Sequence, residues 1–459
     1  MTKKEKFVDF FSTLKNKIID LRFNKTFLVC CLLSVIYLIS GYWKWLEILV
    51  SVCAIIFMAI LPIQNALCIF MFLHSFTLSN IGYDSCFMVT LIGFTLILLV
   101  KYILGVKKGR YLYHKKLVIA ISTFYIITTA LSLFKSLYNG AWLYFTYLPL
   151  IYLIFEMRKD VSISQGMNYM FGGMITGCML SLTSILFPSF QYDCFGGDRF
   201  RAFINNTNYL YMRALFVLSY YIYRYLSKDL SNIKFCSIYL LCSAISLATL
   251  SKTGICMLAL LTLIFVILFL KQDFKKNIKT VGIFALLLII VAVICYKFIF
   301  SIFERFLNAF NSGDLINSLL TGRDLIWSIY LDEIFKNPLN FLIGHGLLTE
   351  QIYIASIFGP TETHNFYIFL LYRFGIVGTI ALGYIVYLFI KELNPTKPKF
   401  IAYLPLIYIL IESLFDNTMK CYNITYFLFA FMILFMNCKS KNEECSQNKQ
   451  EQIEEKTEN

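Results

Sequence analysis

Two residues in the stretch 301–373 have side chains and a setting that could do chemistry: Arg323 in Thr-Gly-Arg-Asp and His364 in Thr-His-Asn. A guanidinium presents a planar fork of donors that can hold an anion bidentately. An imidazole in the first turn of a helix favours its neutral form and can accept a proton. The segment TGRDLIWSIYLDEIF opens on a capping box from Thr321 to Asp324, which predicts a helix with Arg323 in its first turn. Leu325, Ile329 and the Trp327/Tyr330 pair make that helix amphipathic and suited to a membrane interface. Trp327 lies one turn on, where its ring can stack on the guanidinium. A second helix is predicted from Thr361 or Thr363, with His364 in its first turn and Gly375 as a break before the next apolar run. Taken alone, a first-turn histidine is more often a capping or surface residue. His345 lies in Phe-Leu-Ile-Gly-His-Gly-Leu, where its glycine neighbours point to a conformational role.

Further cations lie ahead of this stretch. The loop 188–207, PSFQYDCFGGDRFRAFINNT, carries Arg199 and Arg201 and leads into a helix with Arg213 about two turns in. A charge inside an apolar span is costly, so Arg213 is expected to face a polar cavity or a bound anion, or else to snorkel to the headgroups. Lys252 stands in a predicted tight turn, Ser251-Lys252-Thr253-Gly254, between two apolar helices; a solvated turn lysine is the plainer alternative. Glu412 and Asp416 are one turn apart on one face and can bind hydroxyls or partner nearby cations. No Asp-x-Asp pair occurs in the chain, and no Cys/His spacing resembles a metal site, so no metal and no cofactor are predicted.

The elements that must carry these residues are membrane helices. Of 459 residues, 59% are hydrophobic and only 15% charged, with a mean hydropathy of +0.69. A soluble domain carries about 25% charged residues, which excludes an ordinary globular protein. Apolar blocks near the ~20 residues that cross a bilayer recur at 26–43, 46–62, 65–79, 86–106, 116–134, 141–156, 167–187, 208–226, 235–250, 254–270, 281–300, 374–391, 399–414 and 422–437. The prediction is therefore an all-α polytopic integral membrane protein of about fourteen spans (12–14), with one large extracytoplasmic loop bearing short amphipathic helices. Charge gives the orientation, because short cytoplasmic loops carry excess Lys and Arg. With the N-terminus inside, 28 of the 41 Lys and Arg residues fall on the inner side, ten on the outer side and three within spans. The net charge of +14 follows largely from that bias and implies no nucleic-acid partner.

The expected organisation is a cytoplasmic amphipathic segment (1–25), a bundle of about eleven helices (26–300), the outer loop (301–373), three last spans (374–437) and a disordered cytoplasmic tail (438–459). Most of the fourteen cysteines fall inside spans. Cys194 and Cys421 lie outside them, so no disulfide framework is predicted.

The sequence resembles the O-antigen polymerase and ligase family, membrane glycosyltransferases of surface-polysaccharide assembly. The similar stretches are Arg201-Ala-Phe-Ile-Asn-Asn, Ser251-Lys252-Thr253-Gly254, Gly322-Arg323-Asp324-Leu-Ile-Trp327, Asn337-Pro338 leading to Gly344-His-Gly346, and His364-Asn365 leading to Gly375-Ile-Val-Gly378. The first 190 residues share only their apolar character with the family. The resemblance implies an inner-membrane enzyme acting on glycan donor and acceptor carried on undecaprenyl diphosphate, with membrane lipid, a chain-length regulator and a flippase as partners. It implies His364 as base, Arg323 on the diphosphate, and Arg199, Arg201, Arg213 and Lys252 as substrate-binding cations. The family often has arginine where this chain has Lys252, which keeps the charge and loses the fork. Polymerase and ligase both fit these motifs, and fourteen spans lean towards a polymerase. A lipid-linked oligosaccharide flippase is the alternative of another class. It would be expected to show matching halves and cations along a central cavity.

Overall fold

The computed structural model describes residues 24–76, 85–133, 141–186, 194–272, 323–345, 363–393 and 400–415, apart from a few positions within these ranges, together with isolated positions elsewhere. The N-terminal amphipathic segment, the expected span 422–437, most of the expected span 281–300, the tail, Thr321, Asp416 and Cys421 lie outside the described residues.

Helices occupy twelve of the fourteen positions expected for spans. They run as α1 (Lys25–Ser40), α2 (Leu46–Ile60), α3 (Ile63–Phe76), α4 (Ser85–Lys107), α5 (Lys115–Leu133), α6 (Ala141–Glu156) and α7 (Ile163–Ser181). The order continues with α8 (Thr207–Leu226), α9 (Asn232–Ala248), α10 (Lys252–Gln272), α11 (Arg323–Phe335), α12 (Pro338–Ile343), α13 (Phe366–Leu393) and α14 (Leu404–Glu412). The only strands among the described residues are two residues long, Phe195–Gly196 and Arg199–Phe200.

Among the described residues, four helical stretches are long and apolar enough to cross a membrane: Val89–Lys107, Ile163–Leu186, Lys252–Gln272 and Phe366–Lys391. Only 33–39% of each apolar window is buried, so most of its surface is free to face lipid. Five more apolar helices are shorter, at Lys25–Ser40, Leu46–Ile60, Ile63–Phe76, Asn232–Ala248 and Ile401–Glu412. The protein is therefore helical with several membrane-crossing elements. The expected helix α8 is 20 residues long but falls outside both groups, because its tyrosines, Arg213 and Arg224 dilute the apolar run.

The chain divides into two compact units. The first comprises Met1–Leu98, Asp160–Gly196 and Arg201–Asn205. At its centre α3 is buried from Ala66 to Phe76. It meets α7 at Gly173 and Gly177, where a Cβ would strike the Phe72 and Phe76 carbonyls. This small-xxx-small spacing brings two backbones together without a side chain between them. The Ser75 hydroxyl then donates to the Met170 carbonyl at 2.6 Å.

The second unit comprises Leu99–Lys159, Gly197–Phe200 and Asn206–Asn459. Its core helix is α8, buried without a break from Leu210 to Tyr223. Helices α9, α10 and α14 pack around it, and Tyr225, Phe235, Tyr239, Phe265 and Phe269 form an aromatic cluster at its far end. Helix α13 packs on α5 through Phe374 and Phe124, with ring centroids 5.5 Å apart.

Candidate functional site

The site is assembled around the last turns of α14. This helix has the apolar sequence Leu-Pro-Leu-Ile-Tyr-Ile-Leu-Ile-Glu, and like every helix it leaves its terminal carbonyls without intrahelical donors. Four carbonyls of this stretch are taken by Arg323 and by residues that follow His364. The Tyr367 hydroxyl donates to the Leu410 carbonyl at 2.9 Å. The Phe366 amide donates to the Ser413 carbonyl at 2.9 Å, and the Asn365 side-chain amide to the Leu414 carbonyl at 3.1 Å. The Arg323 guanidinium donates from Nη1 to the Phe415 carbonyl at 2.5 Å. A cation at a helix C-terminus also meets the negative end of the macrodipole.

Arg323 is the first residue of α11, as expected. Trp327, one turn on, does not stack on it. Its indole N–H donates instead to the Thr363 carbonyl at 2.7 Å, across the peptide that joins Thr363 to His364. His364 itself is not in the first turn of α13, which corrects the sequence expectation. The helix starts at Phe366, and Asn365 is its cap, with Oδ1 accepting from the Tyr367 and Ile368 amides at 3.0 and 3.1 Å. Asparagine is a stronger N-cap than threonine, which moves the helix start beyond Thr361 and Thr363. His364 is left outside the helix in the left-handed region, at φ 46°. Such a conformation is uncommon for a residue with a side chain. It persists here because Trp327 holds the peptide before it and α14 holds Asn365 and Phe366 after it.

His345 has a different setting. Its backbone N–H donates to the Tyr372 carbonyl at 2.8 Å. Its ring stacks on the Tyr372 ring at 4.2 Å, and its Nε2 lies 3.7 Å from Glu333 Oε1. Tyr372 also meets Tyr330 edge-on at 4.9 Å. This junction depends on two glycines. Gly344, which ends α12, has φ 73° and ψ −174°, and Gly375, inside α13, has φ 60° and ψ −172°. Both values fall in a region essentially confined to glycine. A Cβ on either would strike the backbone of the other segment. The break expected at Gly375 is thus a backbone-to-backbone lock, and His345 is part of it.

The remaining cations lie towards α8 and the start of α10. Lys252 is the first residue of α10, not the middle of a turn. The reversal falls just earlier, at Leu250 with φ 50°, and Ser251 caps the helix, its Oγ accepting from the Gly254 amide at 3.4 Å. Arg199 reaches the same place, donating from Nε to the Thr249 carbonyl at 2.9 Å and from Nη2 to Asn208 Oδ1 at 3.2 Å. The Ser251 hydroxyl shares that Asn208 oxygen at 3.1 Å. One turn along α8, Tyr211 packs on Gly254, where a Cβ would lie 2.7 Å from the ring, and its hydroxyl donates to Glu412 Oε1 at 2.6 Å. A continuous path therefore runs from Arg199 through Asn208, Ser251 and Tyr211 to Glu412, and on to Arg323 and the His364 segment. Arg213 is fully buried in α8, beside Met212, whose carbonyl accepts from the Tyr408 hydroxyl at 3.3 Å. Arg201 belongs to the first unit, its amide donating to the Cys194 carbonyl at 2.9 Å. Asn208 and Tyr211 are polar residues of the site that motif reading passes over. Their signal is a hydrogen-bonding group beside an otherwise apolar run.

Arg323 and the residues on either side of His364 are thus fastened around one helix end, while Lys252 and Arg199 lie at the start of α10 and Arg213 inside α8. Residues 237–383 match the model of the O-antigen ligase family, which supports an O-antigen polymerase/ligase-like family for this chain. The matched range runs from α9 into α13 and contains Lys252, Arg323, His345 and His364. No curated protein matches the chain.

Proposed function

We propose that the protein is a polymerase that joins lipid-diphosphate-linked oligosaccharide repeats at the outer face of the cytoplasmic membrane. The carrying observation is that Arg323 and the His364 segment are fastened to one helix end. An acceptor sugar hydroxyl attacks the anomeric carbon of the donor, forming the new glycosidic C–O bond as the bond to the diphosphate breaks. His364 takes the hydroxyl proton, and the departing lipid diphosphate carries the electron pair. Arg323 keeps Nη2 and Nε for phosphate oxygens while Nη1 is held by Phe415, so its fork is oriented before substrate arrives. Arg199 and Lys252 extend the positive lining towards the start of α10, and Arg213 is a further cation of the same unit. With cations on the leaving group, the reaction needs no metal. Ligation to lipid A core or to a protein uses the same chemistry with another acceptor, and the family match is common to both.

Purified protein in detergent, supplied only with undecaprenyl-diphosphate-linked repeats, is expected to yield a ladder of longer lipid-linked glycans that chelator leaves unchanged. Arg323→Lys keeps the charge, loses the fork, and should be nearly as inactive as Arg323→Ala. A ladder that requires added metal, or normal polymer from the lysine variant, would contradict the mechanism. Transfer to lipid A core alone would make the protein a ligase.

A further inference from the structure

We infer that Tyr211 and Glu412 are a positioning pair, whose hydrogen bond sets the end of α14 on which His364 and Arg323 are held. The inference rests on the roles proposed for those two residues.

Glu412 is fully buried near the end of an apolar helix. A carboxyl there is costly unless a polar group meets it, and such intramembrane groups are functional more often than incidental. Tyr211 supplies the partner at 2.6 Å and is itself 1% exposed. The ring has no slack, because Gly254 at the start of α10 lies against it with no room for a Cβ. The next three residues, Ser413, Leu414 and Phe415, are the ones whose carbonyls hold Phe366, Asn365 and Arg323. A small rotation of this helix end, once Glu412 is released, therefore displaces base and phosphate ligand together. Helix α14 would still dock, because Tyr408 ties it to the Met212 carbonyl one turn earlier. The pair also explains why a glycine follows Ser251-Lys252-Thr253: it makes room for the tyrosine that orients the far side of the site.

A buried polar pair can be replaced by apolar residues of similar volume without loss of stability, which separates positioning from packing. The full-length protein in lipid nanodiscs is assayed as Glu412→Met, Glu412→Gln, Tyr211→Phe and the double variant Tyr211→Phe/Glu412→Met. Small misplacement of reacting groups costs on the order of 10²-fold, so Glu412→Met and Tyr211→Phe should each lower kcat by about that factor. KM for the lipid-linked glycan should change little. Glu412→Gln retains an oxygen to accept from Tyr211 and should recover most of the rate. The double variant should be no worse than the poorer single one, since both remove the same bond. Hydrogen exchange of the Phe366 amide should quicken in the Met and Phe variants. Wild-type kcat in Glu412→Met, or single losses that multiply in the double variant, would overturn the inference. Should the wild-type protein transfer no glycan, faster exchange at Phe366 still supports the pair, and unchanged exchange refutes it.

Discussion

His364 and His345 lie nineteen residues apart, and the structure gives them different settings. His345 is 9% exposed and its ring lies flat on Tyr372, so it belongs to the packing of α11, α12 and α13. His364 sits in a left-handed turn held on both sides by hydrogen bonds made by its neighbours. That frame fixes the backbone from which the proposed base projects. Removing a general base typically lowers the rate by 10²–10⁴-fold, and His364→Ala should do so at normal expression and membrane insertion. His345→Ala should instead be milder in rate and lower in thermal stability. Polymer length distributions and thermal unfolding of both variants, in a strain without the native gene, check the pair. Wild-type polymer from His364→Ala would refute the assignment.

At the scale of elements, the lock between Gly344 and Gly375 joins α12 to α13 and fixes how α13 leaves the site. Gly375→Ala combines a disallowed backbone region, which costs about 1–3 kcal/mol, with a clash against Leu342 and Gly344. It should lower the unfolding temperature and the activity together. Gly383, in the same helix, has open space where a Cβ would go, so Gly383→Ala should be neutral; equal effects at both positions would refute the lock. These elements differ in how far the sequence shows them. The helices, the break at Gly375 and the start of α11 at Arg323 are legible, because apolar length, glycine and a cap signal them directly. The hub at the end of α14 is not, because its acceptors are backbone carbonyls and its residues read only as one more apolar run. The starts of α10 and α13 shift by one to a few residues for a similar reason. Ser251 and Asn365 compete with neighbouring candidates for the cap, and the winner depends on tertiary contacts that composition does not carry.

For the whole molecule, the proposed reaction has one requirement that no single residue supplies: with donor and acceptor both tethered by lipid, the transfer must occur at a membrane surface and on the side where the glycans are displayed. The proposed orientation rests on the distribution of Lys and Arg, 28 inside against ten outside among 41. If it holds, Arg323, His364 and the end of α14 share the outer side with Lys252 and Arg199. If it is inverted, the same cations face the cytoplasm, where they would meet nucleotide-linked sugars instead of exported lipid-linked ones. Reporter fusions in living cells decide between the two. Fusions at Lys108, Lys276 and Lys397 should report the cytoplasm, and fusions between residues 305 and 360 should report the outer side. A cytoplasmic reading across 305–360 would contradict the account at its base, because neither Arg323 nor His364 could then reach the substrate proposed for it.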